Sequence, residues 1–362
     1  MEPRPAQVSF GEALRVWLKI GCLGFGGPAG QIALMHRVLV DEKKWVDEAR
    51  YLHALNFCML LPGPEAQKLA TYVGWLLHGV RGGLAAGILF VLPGALVMLA
   101  VSLLYVLGSG IPVVEGALFG IKAAVLVIVV EALIRIGRRA LKTRLLYAIA
   151  ALAFVGIYFL DLPFPAIVLA AALIGYFHVD GQKPQHSTAP APDRWRQFGI
   201  AVAVGLLLWW TPVLLAVIAL GPGHVLVDIG VFFSKLATVS FGGAYALLSY
   251  MAQEAVETHR WMTAPEMVDG LGLAETLPGP LIKVTQFVGF LAAYRDAAPF
   301  SPIAAGVIGS VLTTWVTFAV PMLLIFAGAP FVEQLRSNRR LSGALTAITA
   351  AVVGVILNLT LW

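Results

Sequence analysis

Residues 19–27, KIGCLGFGG, return 216 positions later as residues 235–243, KLATVSFGG; at the same spacing Trp45 falls on Trp261, and the LPGP of residues 61–64 on that of residues 277–280. Glycine pairs, Pro-Gly-Pro breaks and a lysine within apolar sequence are poor choices for a lipid-facing helix. Their joint recurrence at one spacing marks an internal duplication of the kind that builds membrane transporters.

Composition sets the class independently. Of 362 residues, 59% are hydrophobic and 12% charged, with a mean hydropathy of +0.85. That is too little polar surface to cover a water-soluble globule. About 20 apolar residues cross the ~30 Å hydrocarbon layer. Charge-free stretches of that order run over 83–107, 198–220, 299–330 and 341–362, with less clean ones over 112–136, 145–160 and 162–177. The prediction is an all-α polytopic membrane protein with no soluble domain, since no charged or alternating stretch is long enough to make one. Residues 1–10 hold no apolar core before a small-residue cleavage site, so no cleaved signal peptide is expected. Cys22 and Cys58 stand apart in apolar surroundings and suggest neither a disulfide framework nor a metal cluster. A net charge of +5 can signal nucleic acid in another setting. Here the basic residues cluster beside spans, where they report topology.

Arg135, Arg138, Arg139, Lys142 and Arg144 crowd one connection with no acid among them, which the positive-inside rule puts in the cytoplasm. The uncharged connection 108–112 then lies on the far side. Its counterpart in the second copy, 330–341, holds Arg336, Arg339 and Arg340 against Glu333 and belongs in the cytoplasm. Likewise residues 37–50 hold four Lys or Arg, whereas 253–266 hold only Arg260. An odd number of spans, five, separates the copies. Charge and parity agree on two inverted-topology repeats: 1–178, the first copy with its following spans; 179–196, a Pro- and Gly-containing cytoplasmic linker; and 197–362, the second copy in opposite orientation. The N-terminus is predicted cytoplasmic and the C-terminus on the opposite, periplasmic side.

Each copy opens with segments too interrupted for plain spans. Residues 10–25 read as a helix that Gly26, Gly27 and Pro28 break, and Pro28 suits the first turn of the next helix, which runs to about Leu39. Residues 47–61 and 65–77 are half-helices around Pro62, Gly63 and Pro64. Read as re-entrant hairpins, they bring every loop to the side its charges demand. Broken backbone at membrane depth is tolerated only where protein or a water-filled cavity satisfies it, so the breaks mark a cavity. Pro93 and Pro321 are read as packing kinks.

Half-helix N-termini bring unpaired N–H groups and roughly half an elementary charge each to a break, which favours an anion, although C-terminal ends at the same break offset part of that field. Lys19 and Lys235 each lie six residues before a Phe-Gly-Gly, about 9 Å along a helix. An unpaired ammonium at membrane depth is costly, so each is expected to face a partner, with snorkelling as the alternative. Lys68 and Lys283, near the two Pro-Gly-Pro breaks, are not matched by register and rank below them. Glu65 follows Pro64, and Glu275 precedes Pro278 by three residues. Carboxyl groups in low dielectric titrate nearer neutrality, which makes both candidates for proton coupling; Glu65 can equally cap its helix. His53, on a hairpin arm, is the histidine to test, with packing as its other role. Glu131 and Arg135 fit an i, i+4 pair, and Trp45 and Trp261 are read as anchors at opposite membrane interfaces.

The stretches WLKIGCLGFGGPAGQIALMHR, LNFCMLLPGPEAQKLATYVGW and FVLPGALVML, with SKLATVSFGGAYALL, LAETLPGPLIKVTQFVGFLAAYR and NRRLSGALTAITAAVVGVILNL, resemble the chromate ion transporter family in its long two-domain form, from Phe10 to the C-terminus. The resemblance implies a carrier of the bacterial inner (plasma) membrane that expels chromate and confers resistance. Sulfate is the analogue and competitor, and no cofactor is implied. The family's motifs map onto Gly26, Gly27, Pro62, Gly63, Pro64, Gly242, Gly243, Pro278, Gly279 and Pro280; Lys283 stands where that pattern leads one to expect an apolar residue. A tetrahedral dianion suits helix-start N–H groups and two lysines. Alternating access is the expected mechanism. An uptake carrier for sulfate or another oxyanion, or an anion channel, shares these features. A chromate reductase would need a redox cofactor or a reactive thiol pair, and no nucleotide fingerprint is present. The expected partners are the oxyanion and the bilayer, with no nucleic acid; homodimerisation is left open.

Overall fold

Ser9 starts the first helix of the computed structural model: its hydroxyl accepts the Glu12 N–H at 3.3 Å, and α1 runs Phe10–Leu23. The structure describes residues 8–59, 61–108, 140–160, 162–178, 192–240, 244–329 and 339–361, with scattered positions between 111 and 138. Gly26, left-handed at φ +82°, caps α2 (Gly27–His36), whose second residue is Pro28. A π-helical turn (Arg37–Glu42) leads to α3 (Glu48–Met59), and the first Pro-Gly-Pro leads to α4 (Glu65–Leu107). α5 (Arg144–Tyr158), α6 (Phe164–His178) and α7 (Pro192–Leu220) follow. The opening order then returns: α8 (Val225–Thr238), α9 (Ala244–Gln253), a π-helical turn (Glu254–Thr258), α10 (Ala264–Thr276), Pro-Gly-Pro, a 3-10 turn (Leu281–Lys283) and α11 (Val284–Arg295). α12 (Pro302–Gly328) and α13 (Arg339–Leu361) close the chain. No strand occurs among the described residues.

α4 is two helices. His78 (φ −139°) and Gly79 (φ +59°, ψ −151°) break it, a conformation that only glycine takes readily. The half-helix expected over 65–77 and the span over 83–107 therefore meet at a hairpin. Its arms close on Gly74 and Gly82, where a Cβ on either would lie 2.2–2.4 Å from the other's carbonyl oxygen. In the second copy Gly289 and Gly309 bring α11 and α12 together, a Cβ on Gly309 lying 2.4 Å and one on Gly289 3.1 Å from the other's carbonyl oxygen. Among the described residues α4, Trp195–Leu220 and α12 are long and apolar enough to cross a membrane, and α5, α6 and Gly343–Asn358 are shorter apolar helices. The protein is an all-α membrane protein. α12 is central, packing on α4, α7, α8 and α11, whereas α7 turns most of its surface outward.

Three expectations change. Pro192–Arg196, read as linker, already belongs to α7; the rest of that segment, the span 112–136 for the most part, Phe241–Gly243 and Arg135, the expected partner of Glu131, lie outside the described residues. Trp45 and Trp261 are not interfacial anchors but are buried, 6% and 7% exposed. The reason is a repeated turn. Lys43 and His259 donate to Val38 and Glu254 carbonyls, Trp45 and Trp261 to Leu39 and Ala255 carbonyls, and the residues between, Lys44 (φ +53°) and Arg260 (φ +55°), are left-handed. That turn folds each tryptophan back into the core. A left-handed L-residue costs about 1–2 kcal/mol that glycine escapes, partly offset by glycine's greater unfolded entropy. Lys44→Gly and Arg260→Gly are each expected to stabilise by ~0.5–1 kcal/mol. An apparent Tm in detergent that stays level or falls would show that neither turn holds strain.

Charges collect at the helix ends. Lys43 meets Glu12 at 2.8 Å, and His36 meets Glu48 at 2.5 Å, a bond that holds the His36 imidazole above its ordinary value. At the start of α10, Arg295 meets Glu266 at 2.5 Å. Burial pushes the Glu266 carboxyl up, but Arg295 and Thr263 together hold it below the usual range.

Candidate translocation site

Glycine at the centre of each Pro-Gly-Pro leaves an amide free to reach out of its own copy. The Gly63 N–H donates to the Ser240 carbonyl at 2.8 Å, and the Gly279 N–H to the Gly24 carbonyl at 2.9 Å. Gly63 and Gly279 are repeat partners, as are Gly24 and Ser240, so the bond is exchanged reciprocally. The spans respond in the same way. A Cβ on Gly63 would lie 2.8 Å from Pro321 of α12, while one on Gly94 of α4 would lie 2.4 Å from the Pro278 carbonyl oxygen. Gln67 donates to the Phe318 carbonyl at 3.2 Å and Gln286 to the Ala95 carbonyl at 2.8 Å. Pro93 and Pro321 thus mark the stretches of α4 and α12 against which the opposite copy's break is seated.

A cavity of about 20 Å³ opens at this crossing among Pro28, Gln31, Gly63, Glu65, Ser240 and Pro280. That is room for one or two waters, so an oxyanion enters only if the breaks part. The N-terminal ends of α2, α4 and the 3-10 turn converge on it, and none carries a side-chain cap. The carbonyls that oppose them are consumed instead. Gly24 O accepts the Gln31 amide at 3.0 Å as well as Gly279. Leu61 O accepts the Lys68 ammonium. The Lys283 ammonium donates to Ala274, Leu277 and Gly279 carbonyls at 2.7, 3.1 and 3.3 Å. With the C-terminal ends of α3 and α10 neutralised by buried cations, the field left over the cavity is that of helix N-termini, which is positive.

Burial does not follow the order in which register ranks the lysines. Lys68 and Lys283 are 2% and 1% exposed, whereas Lys19 and Lys235 lie on exposed faces of α1 and α8, Lys235 with its Nζ 6.0 Å from the Tyr250 ring centroid. Neither Lys19 nor Lys235 lines the cavity. The register mismatch of Lys68 and Lys283 has a geometric cause. α4 opens with an α-turn, while the second copy opens with a 3-10 turn of three residues, so one turn past the break falls a residue earlier. Both ammoniums reach the carbonyl of the same repeat position, Leu61 and Leu277. A lysine within one turn of each LPGP was the available signal.

Of the remaining candidates, Gly26 and Gly27 hold left-handed φ at the start of α2, and Pro62, Pro64, Pro278 and Pro280 bracket the two bonding glycines. Gly242 and Gly243 lie outside the described residues. Glu65, half-buried, lines the cavity. Glu275 is half-buried and directly follows Ala274, one of the Lys283 acceptors. His53 is half-buried on α3 and does not line the cavity. Among the described residues no group of His, Cys, Asp and Glu could hold a metal ion. One buried acid went unremarked: Asp269 of α10, whose Oδ2 accepts the Tyr105 hydroxyl at 3.0 Å.

Comparison with known proteins places these features in a lineage. Residues 11–176 and 227–362 match the family described as Chromate transporter. A chromate transport protein of Pseudomonas aeruginosa is 34% identical over 98% of this chain and 81% of its own length. A chromate transport protein of Cupriavidus metallidurans is 27% identical over 95% and 80%. An uncharacterised transporter of Bacillus subtilis matches 44% of this chain over 83% of its own length at 29% identity, the size of a single copy. No solved structure matches the chain.

Proposed function

Because this chain belongs to the chromate transporter family and is a multi-pass membrane transporter, we propose that it exports chromate across the bacterial inner membrane by alternating access, with sulfate as competitor. One observation carries the reading: three uncapped helix N-termini share a cavity whose opposing carbonyls are already bonded. Uncommitted N–H groups and an excess of positive field suit a tetrahedral dianion. Outward movement of a dianion gains about 2.3 kcal/mol per charge per 100 mV from a negative interior.

The two copies lie antiparallel in this reading. Support comes from the reciprocal glycine bonds and from Tyr105, near the end of α4, meeting Asp269, midway along α10. The start of α3, the α4 kink and the N-terminus then face the cytoplasm, while the start of α10 and the C-terminus face the periplasm. Alternating access is a rocking of the two Pro-Gly-Pro hairpins about the crossing, which widens the cavity to one side at a time. Glu65 supplies a proton link. Its carboxylate occupies the α4 N-terminal field when the cavity is empty, and an arriving dianion favours its protonated form.

Chromate counterflow in proteoliposomes tests the function. Saturable exchange, inhibited by sulfate and directed outward in comparisons of inside-out with right-side-out vesicles, is the expected result. Flux that neither saturates nor exchanges would mean a channel, and net inward accumulation an uptake carrier.

A further inference from the structure

Asp269 is the one buried acid among the described residues, 3% exposed, and it takes no part in lining the central cavity. An ionisable side chain kept at membrane depth is a functional position by default. Its partner Tyr105 belongs to the first copy, third from the end of α4, and stands edge-on to Phe287 of α11 with ring centroids 5.1 Å apart. The hydrogen bond therefore ties the two halves together away from the crossing, at the periplasmic end of the proposed orientation. Tyr105 of α4 meets Asp269 directly, and Arg295 of α11 and Glu266 of α10, paired with each other, are the other charges that act on Tyr105; Glu266 and Glu275 share the helix of Asp269. At the spacing of the duplication Asp269 corresponds to His53, so this carboxyl exists in one half only.

We propose that Asp269 is a proton-binding site that latches α10 to α4. When ionised, its carboxylate holds Tyr105 through a charge-assisted hydrogen bond. When it takes a proton from water, the bond becomes neutral and roughly half as strong, and the periplasmic side opens more readily. The proposal rests on the alternating-access reading, in which these two helices must part.

In proteoliposomes, wild-type chromate counterflow is expected to change at least threefold between about pH 5 and pH 9. Asp269→Asn lacks that limb, and Asp228→Asn, an exposed acid of α8, keeps it. Tyr105→Phe preserves the ring against Phe287 and moves the midpoint upward by about one pH unit, because the ionised carboxylate loses a donor. A limb that survives in Asp269→Asn, is absent from the wild type, or disappears in Asp228→Asn overturns the proposal. Should the wild type carry no chromate, the transport reading fails, and thermal unfolding in detergent reads the latch by itself. The Tm gap between wild type and Asp269→Asn is then expected to vary with pH, and a constant gap overturns it.

Discussion

Gly63→Ala is expected to destabilise the protein by ~2–5 kcal/mol and to abolish flux, and to do both more severely than Gly279→Ala. Two penalties act together at Gly63. Its φ of +103° lies where side chains are strained, and an added Cβ would meet the Pro321 ring at 2.8 Å. A proline ring on a packed span cannot swing away, so the break itself must shift. Such a shift withdraws the Gly63 N–H from the Ser240 carbonyl and deforms the cavity wall. Gly279 has φ +94°, but its Cβ would meet only Gly94 Cα at 3.3 Å, leaving strain as the main cost, ~1–3 kcal/mol. The apparent Tm in detergent and counterflow per reconstituted protein separate the two. Equal effects at both positions would show that backbone conformation alone matters, and that the seating of the first break on Pro321 does not.

Lys283→Met is expected to lose a hundredfold or more in counterflow. The substitution keeps an unbranched apolar stem of similar volume but leaves three carbonyls at the end of α10 without their donor. Each unsatisfied buried group costs ~1–3 kcal/mol, and about 2.7 kcal/mol in the barrier is already a factor of a hundred. The α10 C-terminal dipole, no longer neutralised, then subtracts from the positive field over the cavity. Lys68→Met is expected to lose less, since its ammonium serves one carbonyl. Lys19→Ala and Lys235→Ala should stay within about threefold of wild type, since both are exposed and neither lines the cavity. Lys283→Arg should not rescue, because a planar fork does not fit a site shaped for a compact ammonium. Robust flux in Lys283→Met beside loss in Lys19→Ala would return the anion's charge partner to α1.

The breaks were legible because they are written in residues that act locally. Gly26 and Gly63 permit positive φ, Pro28 and Pro64 set a helix start, and both rules hold whatever surrounds them. Span positions followed from length and charge: α4 contains the stretch 83–107, and α12 lies within the stretch 299–330. Register alone does not show which lysines are buried, because a 3-10 turn displaces Lys283 by one residue from the position that would match Lys68. Trp45 and Trp261 look interfacial by type, yet a left-handed residue before each turns the ring inward. Asp269 carried no local signal of its role, since its partner Tyr105 lies 164 residues away.

By itself the sequence determined membrane residence, the duplication and the places where helices stop, since apolar length, periodic recurrence and glycine or proline conformation are properties of a residue and its near neighbours. Only the tertiary structure decided which lysines face inward, which copy's amide meets which copy's carbonyl, and which acid is buried. Those outcomes depend on segments some two hundred residues apart closing over one another, and burial does not exist until they do.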